Sequence, residues 1–130
     1  MKSHMEDCVH KDKIVSVNRQ DGVTVVTFNV ASISSPASVD KISEQLKPMV
    51  AMRAKESIIV DFDGVRFFSS LVLGMLVDLW RRLKEQGGAL VISGINPQLS
   101  RVFRITNLDT IFKFYPDRDS AIKGINATDL

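Results

Sequence analysis

The stretch from residue 57 to residue 88 constrains the fold most, because it reads as a strand, a loop and a capped helix in immediate succession. Its first part, SIIVD, is a short apolar run rich in β-branched residues, which is typical of a buried strand. A loop with Asp61, Asp63 and Gly64 follows, and Ser69 and Ser70 precede a long apolar segment that ends in basic residues and two glycines. Serine is a favoured N-cap, cations suit the last helical turn, and glycine suits the residue after it. The stretch therefore predicts a strand, a loop and a serine-capped helix.

Similar signals place the other elements of the chain. Two β-rich segments, residues 14–20 and 23–30, flank Asp21-Gly22, a dipeptide that favours a two-residue hairpin turn. Ser35-Pro36 and Asn96-Pro97 each read as an N-cap followed by the first helical residue. Pro48 lies inside the helical pattern that follows Ser35, so we expect a kink or a break near Lys47.

The end of the chain continues the alternation of strands and helices. Asn107 is a candidate for a left-handed helix C-cap. Residues 112–115 then predict a short strand, and Pro116 and Asp117 open a last helix that carries Ala121, Ile122 and Ile125.

The predicted order is β-β-α-β-α-β-α-β-α, which defines an α/β protein with about four helices. The hairpin contributes an antiparallel pair, and the strands that alternate with helices should be parallel, so the sheet is mixed. In such sheets ligands and partners meet the loops beyond the carboxyl ends of the strands, here residues 31–36, 61–70 and 94–97. We expect one domain over residues 13–126, after a disordered or tag-derived segment at 1–12.

Composition excludes several classes of function. The chain has 130 residues, is 45% hydrophobic and 25% charged, and carries a net charge of +2, too small to indicate a nucleic-acid or membrane surface. The single cysteine, Cys8, fits a reducing compartment. The first residues lack the apolar region of a signal peptide, and no apolar run is long enough to span a membrane. We therefore expect a cytoplasmic protein.

Catalytic and cofactor motifs are sparse. The two histidines, His4 and His10, both lie in the polar first segment, where a Ser-His-Asp or Cys-His site could not be held in place. No spacing of cysteine and histidine fits zinc, and no glycine-rich phosphate loop is present. We expect no enzyme, no cofactor, no metal and no small-molecule substrate.

The segment IIVDFDGV suggests an alternative in which the protein is an enzyme, because it resembles the first motif of haloacid-dehalogenase-type phosphatases. In that family Asp61 would be the nucleophile and Asp63 the acid/base, with magnesium between them. The motif lies late in the chain, however, and the residues that follow leave little room for the remaining motifs of the family. A turn at Asp63-Gly64 that ends the strand is the simpler interpretation.

A second resemblance covers nearly the whole chain, from about residue 13 to residue 125. The element order, the central segment IIVDFDGVRFFSSLVLGMLVDLWRRLKEQGGALVISGI and the tail NPQLSRVFRITNLDTIFKFYPDRDSAI together resemble a STAS domain, the fold of bacterial anti-sigma factor antagonists. In that family a serine at the start of the central helix is phosphorylated by a partner that is both an anti-sigma factor and a serine kinase. The unphosphorylated domain binds this partner and frees the sigma factor, and the phosphorylated domain releases it.

The resemblance implies roles for individual residues. FFSSLVLG aligns Ser70 with the phosphorylated serine, with Ser69 as the alternative, and Gly74 with a glycine of the signature. Ser69 stands where the family has aspartate, Leu71 where it has a small residue and Val72 where it has glycine, which makes this helix start bulkier and less acidic.

A partner surface around these serines is the main hypothesis, and simple capping of the helix by Ser69 and Ser70 remains the alternative. We expect the stripe of Leu73, Leu76, Val77 and Trp80 to lie in the core, and the neighbouring stripe of Val72, Met75 and Leu79 to be exposed. The residues predicted to contact the partner are Ser32, Ser34, Arg66, Phe68, Ser69, Ser70, Leu71, Val72 and Met75.

The resemblance therefore implies an anti-sigma factor antagonist that binds an anti-sigma factor of the serine-kinase type and regulates transcription. A scaffold or lipid-transport accessory module of the same fold, in which Ser70 is never phosphorylated, is the second hypothesis. The magnesium phosphatase is the third.

Overall fold

The computed structural model describes residues 14–20, 22–52 and 57–128. The strands are β1 (Val15–Gln20), β2 (Val23–Phe28), β3 (Ser32–Ile33), β4 (Ser57–Asp61), β5 (Phe67–Phe68), β6 (Ala89–Ser93) and β7 (Lys113–Tyr115). The helices are α1 (Pro36–Met52), α2 (Ser70–Glu85), α3 (Pro97–Ile105) and α4 (Arg118–Thr128), with a 3₁₀ turn at Leu108–Thr110. The segment 1–12 that we expect to be disordered or tag-derived lies outside the described residues.

Five strands form the main sheet in the order β1-β2-β4-β6-β7. β1 and β2 are antiparallel with Gln20 opposite Val23, which leaves a two-residue turn, and the described residue of that turn, Gly22, has φ +80°. The pairs β2-β4, β4-β6 and β6-β7 are all parallel. The predicted mixed sheet and the predicted hairpin are both confirmed. Because β2, β4, β6 and β7 point the same way, their carboxyl ends gather the three predicted loops at one edge.

The two faces of the sheet are covered unequally. On one face α1, α2 and α3 pack over a large apolar core whose fully buried side chains include Ile42, Leu76 and Phe103. On the other face α4 alone covers a smaller cluster, which consists of Val23, Val25, Ile59, Val91, Ala121, Ile122 and Ile125. The alternation of β-branched residues in β2 and β4 supplies both clusters, because successive side chains of a strand point to opposite faces.

The helix ends follow the sequence signals closely. Asn96 accepts a hydrogen bond from the backbone N–H of Leu99 at 2.9 Å, and Asn107 adopts the left-handed conformation with φ 63°. After α2, Gly87 has φ +92°, and the N–H groups of Gly87 and Gly88 donate to the carbonyls of Lys84 and Leu83. This last arrangement is a Schellman motif, which glycine favours because it lacks Cβ.

A kink or a break was expected near Lys47, and the break does not occur: α1 continues through Pro48 to Met52. Pro48 removes one backbone donor, yet Leu46 and Val50 on either side of it are buried in the core. Their packing outweighs the local cost of proline in a helix interior.

Candidate functional site

The three loops at the carboxyl edge of the sheet are joined by backbone hydrogen bonds. β3 and β5 pair as a two-residue parallel ladder, which places Ser32 beside Phe67. The N–H of Arg66 donates to the carbonyl of Ala31 at 2.7 Å, and the N–H of Ser69 donates to the carbonyl of Ile33 at 3.0 Å. These bonds fix the start of α2 against the loop that leads into α1.

The third loop is attached to the second through the cap of α3. The side-chain amide of Asn96 donates to the carbonyl of Val65 at 3.2 Å while its oxygen caps the helix. The side chain of Val65 is itself buried. The start of α2 therefore rests on a connected platform, which sequence reasoning missed because β3 and β5 are only two residues long.

The two serines at the start of α2 have different surroundings. Ser69 occupies the N-cap position with extended backbone, and its carbonyl accepts from the N–H of Val72 at 3.0 Å. Its side chain makes no capping bond, and within the described part of the chain its buried Oγ has no hydrogen-bond partner. Ser70 is the first helical residue and is exposed. Ser70 therefore lies on the surface at a helix N-terminus, where backbone N–H groups favour an anion.

Two large apolar side chains flank Ser70 on the surface. Phe67 is 52% exposed and Leu71 is 46% exposed. The polar residues Ser32, Ser34 and Arg66, which we expect to contact a partner, are exposed as well. We call these residues the serine edge: Ser32, Ser34, Arg66, Phe67, Ser70 and Leu71.

Three of the residues predicted at a partner surface are buried instead. Phe68, Val72 and Met75 are 5%, 0% and 7% exposed and belong to the large core, as does Leu79 of the same predicted stripe. Leu73 and Leu76 are also buried, whereas Val77 and Trp80 are only partly buried. The apolar face of α2 is therefore wide enough to include both stripes, and the expectation that Val72 and Met75 are exposed is wrong.

The placement of Phe67 and Phe68 follows from the short strand that contains them. In β5 the side chain of Phe68 turns inward, where its ring meets those of Phe62 and Phe103, and the side chain of Phe67 turns outward. Because side chains alternate between the two faces of a strand, a strand over these two residues would have predicted that one phenylalanine points inward and the other outward. The exposed side chain of this pair is therefore Phe67, and Phe68, which was expected at the partner surface, lies in the core.

A second polar cluster lies at the same edge of the sheet but on the α4 face. The Oδ2 atom of Asp61 accepts from Nη2 and Nε of Arg118 at 2.9 and 3.2 Å. Its Oδ1 atom accepts from the N–H of Asp63 at 3.1 Å and from the hydroxyl of Ser93 at 3.3 Å. The side chain of Asp61 is only 4% exposed.

This arrangement gives Asp61 a structural role. Both carboxylate oxygens are engaged by protein donors, and Oδ2 is paired with the guanidinium of Arg118, whereas a nucleophilic carboxylate needs an oxygen open to its substrate. Gly94 makes room for the cluster, since a Cβ there would lie 2.8 Å from Oδ1 of Asp61. The geometry therefore disfavours the magnesium phosphatase.

Comparisons with known proteins agree with this architecture. The STAS domain family model matches residues 15–121. A curated relative, the anti-sigma-B factor antagonist of Bacillus subtilis, is 27% identical over 97 residues, which cover 75% of this chain and 87% of the relative. None of the helices among the described residues has both the length and the apolar character that crossing a membrane requires.

Two solved structures have the same fold. An anti-sigma-factor antagonist (STAS) domain protein from Planctomyces limnophilus superimposes with a TM-score of 0.78 at 24% identity, covering 85% of this chain and 96% of the other. The Bacillus cell fate determinant SpoIIAA in its phosphorylated form superimposes with a TM-score of 0.66 at 18% identity, covering 85% and 98%. With a family model that matches most of its length, the chain belongs to the STAS domain family.

Proposed function

We propose that this protein is an anti-sigma factor antagonist, which binds an anti-sigma factor through the serine edge and releases it when Ser70 is phosphorylated. One observation carries the proposal: an exposed serine, Ser70, stands on a fixed helix start between two exposed apolar side chains, Phe67 and Leu71. Exposed apolar side chains beside a modifiable hydroxyl fit a surface that a partner covers reversibly.

A phosphate on Ser70 would act on the partner and leave the fold intact. At the N-terminus of α2 the dipole and the free N–H groups stabilise an anion, so the helix would persist. The phosphate would add about −1.5 to −2 charges to a surface that becomes desolvated on binding. Docking of an apolar or acidic partner surface would then be opposed.

The surroundings of the two serines favour Ser70 over Ser69 as the acceptor. A kinase must bring the hydroxyl oxygen into line with the transferred phosphoryl group, which requires access to that oxygen. Oγ of Ser69 is buried, whereas Ser70 is exposed. We therefore assign the modification to Ser70.

Similar proteins support this assignment of function. The relative in Bacillus subtilis is named as an antagonist of an anti-sigma factor, and a structure of the same fold exists in a phosphorylated form. By analogy the partner is an anti-sigma factor with serine-kinase activity, the encounter takes place in the cytoplasm, and the outcome is control of transcription. In this role the protein is a binding module and performs no catalysis of its own.

The test combines capture of the partner with mapping of the modification. Wild type, Ser70→Asp and Ser120→Asp proteins serve as baits in a lysate of the source organism, and bound proteins are identified by mass spectrometry. Ser120 is the matched control, because it lies in the first turn of α4 on the opposite face of the sheet. We expect wild type and Ser120→Asp to retain an anti-sigma factor and Ser70→Asp to lose it.

The modification itself is mapped after the captured complex is incubated with ATP. A phosphate on Ser70 that is absent from Ser70→Ala protein supports the mechanism. Equal retention of the anti-sigma factor by all three baits, without phosphate on Ser70, would leave Ser70 as a helix residue only. The scaffold alternative would then explain the protein better.

A further inference from the structure

A cavity of about 450 Å³ opens at the end of the sheet opposite to the serine edge. Among its lining residues are Trp80 and Lys84 from the last turns of α2, Ala89 from β6, Lys113 and Tyr115 from β7, and Ile125 from α4. The sixteen residues of α2 span roughly 24 Å, so this cavity and Ser70 lie at opposite ends of the same helix.

The cavity follows from the shortness of β7. Only Val91–Ser93 of β6 have partners on β7, so Ala89 and Leu90 lie beyond the point where β7 begins. Trp80 borders the resulting gap from one face of the sheet and Ile125 from the other. Tyr115 packs directly against the backbone of α4 at Gly124, where an added Cβ would overlap its ring. The gap is therefore bounded on several sides by packed residues.

The lining combines apolar walls with positive charge at the surface. Trp80, Ile111, Tyr115 and Ile125 supply partly or fully buried apolar surface, while Lys84 and Lys113 are exposed. The ammonium of Lys84 lies 4.9 Å from the centroid of the Trp80 ring, which places one positive charge beside the apolar wall. None of the described lining residues is acidic. An anion near these lysines would meet no opposing carboxylate from the lining.

We propose that this cavity binds a small anionic amphiphile, a molecule in which a carboxylate is joined to an apolar body of about ten carbon atoms. The volume lies at the lower end of the range of small-molecule sites, roughly 300–1,000 Å³, which fits a body of this size. The apolar body would remove the walls from water, and the carboxylate would lie at the surface between Lys84 and Lys113. A neutral or cationic analogue would lose this charge pairing.

The experiment uses Trp80, the single tryptophan of the chain, as a reporter inside the site. Decanoate is titrated into the full chain below its micellar concentration while the emission of Trp80 is recorded. Decanol and decyltrimethylammonium provide the neutral and cationic comparisons. We expect a saturable change with decanoate and at least about tenfold weaker binding of the other two.

Two variants locate the site. Lys113→Glu reverses an exposed charge at the cavity and should weaken decanoate binding about tenfold or more, whereas Lys41→Glu makes the same change on the exposed surface of α1 and should leave it unchanged. Ala89→Phe fills the cavity and should abolish saturable binding, while circular dichroism checks that the fold is kept.

The outcomes are decisive in both directions. If the emission of Trp80 does not change when decanoate is added, the proposal is overturned. This result would mean that the cavity stays empty or that residues of the chain itself fill it. Equal binding of decanoate, decanol and the cation, or equal effects of Lys113→Glu and Lys41→Glu, overturns the role of the lysines. Because the proposal does not involve Ser70, partner capture by the serine edge can fail or succeed independently of it.

Discussion

Two polar groups lie at the carboxyl edge of the sheet, one on each face, and they differ in how their hydrogen bonds are satisfied. Asp61 on the α4 face is buried and accepts bonds from Arg118, Ser93 and a backbone N–H. At the start of α2, Ser70 is exposed, and the buried Oγ of Ser69 has no partner within the described chain. Buried polar groups that are fully bonded hold a fold together, whereas an exposed group beside exposed apolar side chains contributes little to the fold and is available to another molecule.

Removing Asp61 should have the largest effect on stability. In Asp61→Ala the Ser93 hydroxyl and the N–H of Asp63 lose their acceptor, and Arg118 loses its ion pair. Breaking a buried pair from one side costs about 3–5 kcal/mol, and because Arg118 is 38% exposed we expect the lower end, about 3 kcal/mol. Urea denaturation followed by circular dichroism measures the change.

Asp63→Ala is the matched control for this prediction. Asp63 is exposed and only two residues away, so its loss should change the free energy of unfolding by no more than about 0.5 kcal/mol. If Asp61→Ala lowered the free energy of unfolding as little as Asp63→Ala, the cluster around Asp61 would not hold α4 to the sheet.

The next comparison concerns two apolar residues one turn apart on α2. Met75→Ala removes a core side chain and should lower the free energy of unfolding by about 2–3 kcal/mol. Leu71→Ala removes an exposed side chain and should change it by less than about 0.5 kcal/mol while weakening retention of the captured anti-sigma factor. If Met75→Ala protein were as stable as wild type but lost the partner, the exposed stripe expected from the sequence would be correct after all.

The N-cap residues of α3 and α2, Asn96 and Ser69, should differ less in their effect on the free energy of unfolding. Asn96→Ala removes the bonds to Leu99 and Val65 and should cost about 1–2 kcal/mol. Ser69→Ala should change stability by no more than about 0.5 kcal/mol in either direction, because the hydroxyl of Ser69 makes no capping bond. A loss near 1 kcal/mol in Ser69→Ala would indicate instead that Ser69 acts as an ordinary cap.

The sequence predicts the elements well where the signal is local. The Asp21-Gly22 turn, the Asn96-Pro97 cap, the left-handed Asn107 and the glycines after α2 each depend on a few neighbouring residues, and the structure contains the corresponding elements. The turn residue Asp21 itself lies outside the described part of the chain. These signals determine where strands and helices begin and end, and hence the order of elements.

The features that escape prediction depend on residues far apart in the chain. Arg118 meets Asp61 across 57 positions, and β3 pairs with β5 although each has two residues. The width of the apolar face of α2 also depends on packing, because both α1 and the sheet cover this helix. The spacing of apolar residues along the sequence does not show how much of the helix surface these neighbours cover. The start of α2 was therefore predicted correctly, whereas Phe68, Val72 and Met75 were predicted on the wrong side.

The smallest expected effect concerns Asp117, an exposed carboxylate at the start of α4. The hydrogen bond from the backbone N–H of Ser120, at 2.7 Å, holds the pKa of Asp117 below its ordinary value, with further contributions from the Ser120 hydroxyl and from Lys123. Because the pKa is lower in the folded state, the ionised carboxylate stabilises the fold above the unfolded pKa of about 4, and this contribution is lost as the pH falls through the folded pKa.

Asp117→Asn keeps the capping acceptor and removes the charge. We expect its urea midpoint to lie slightly below that of wild type at pH 7 and to converge with it as the pH is lowered below about 4. A difference that stayed constant across this range would mean that the charge of Asp117 contributes nothing and that the hydrogen bond to Ser120 alone begins α4. In that case the exposed carboxylate of Asp117 would differ from the buried carboxylate of Asp61, whose charge is paired with Arg118, and the contrast between buried and exposed groups at this edge would be sharper.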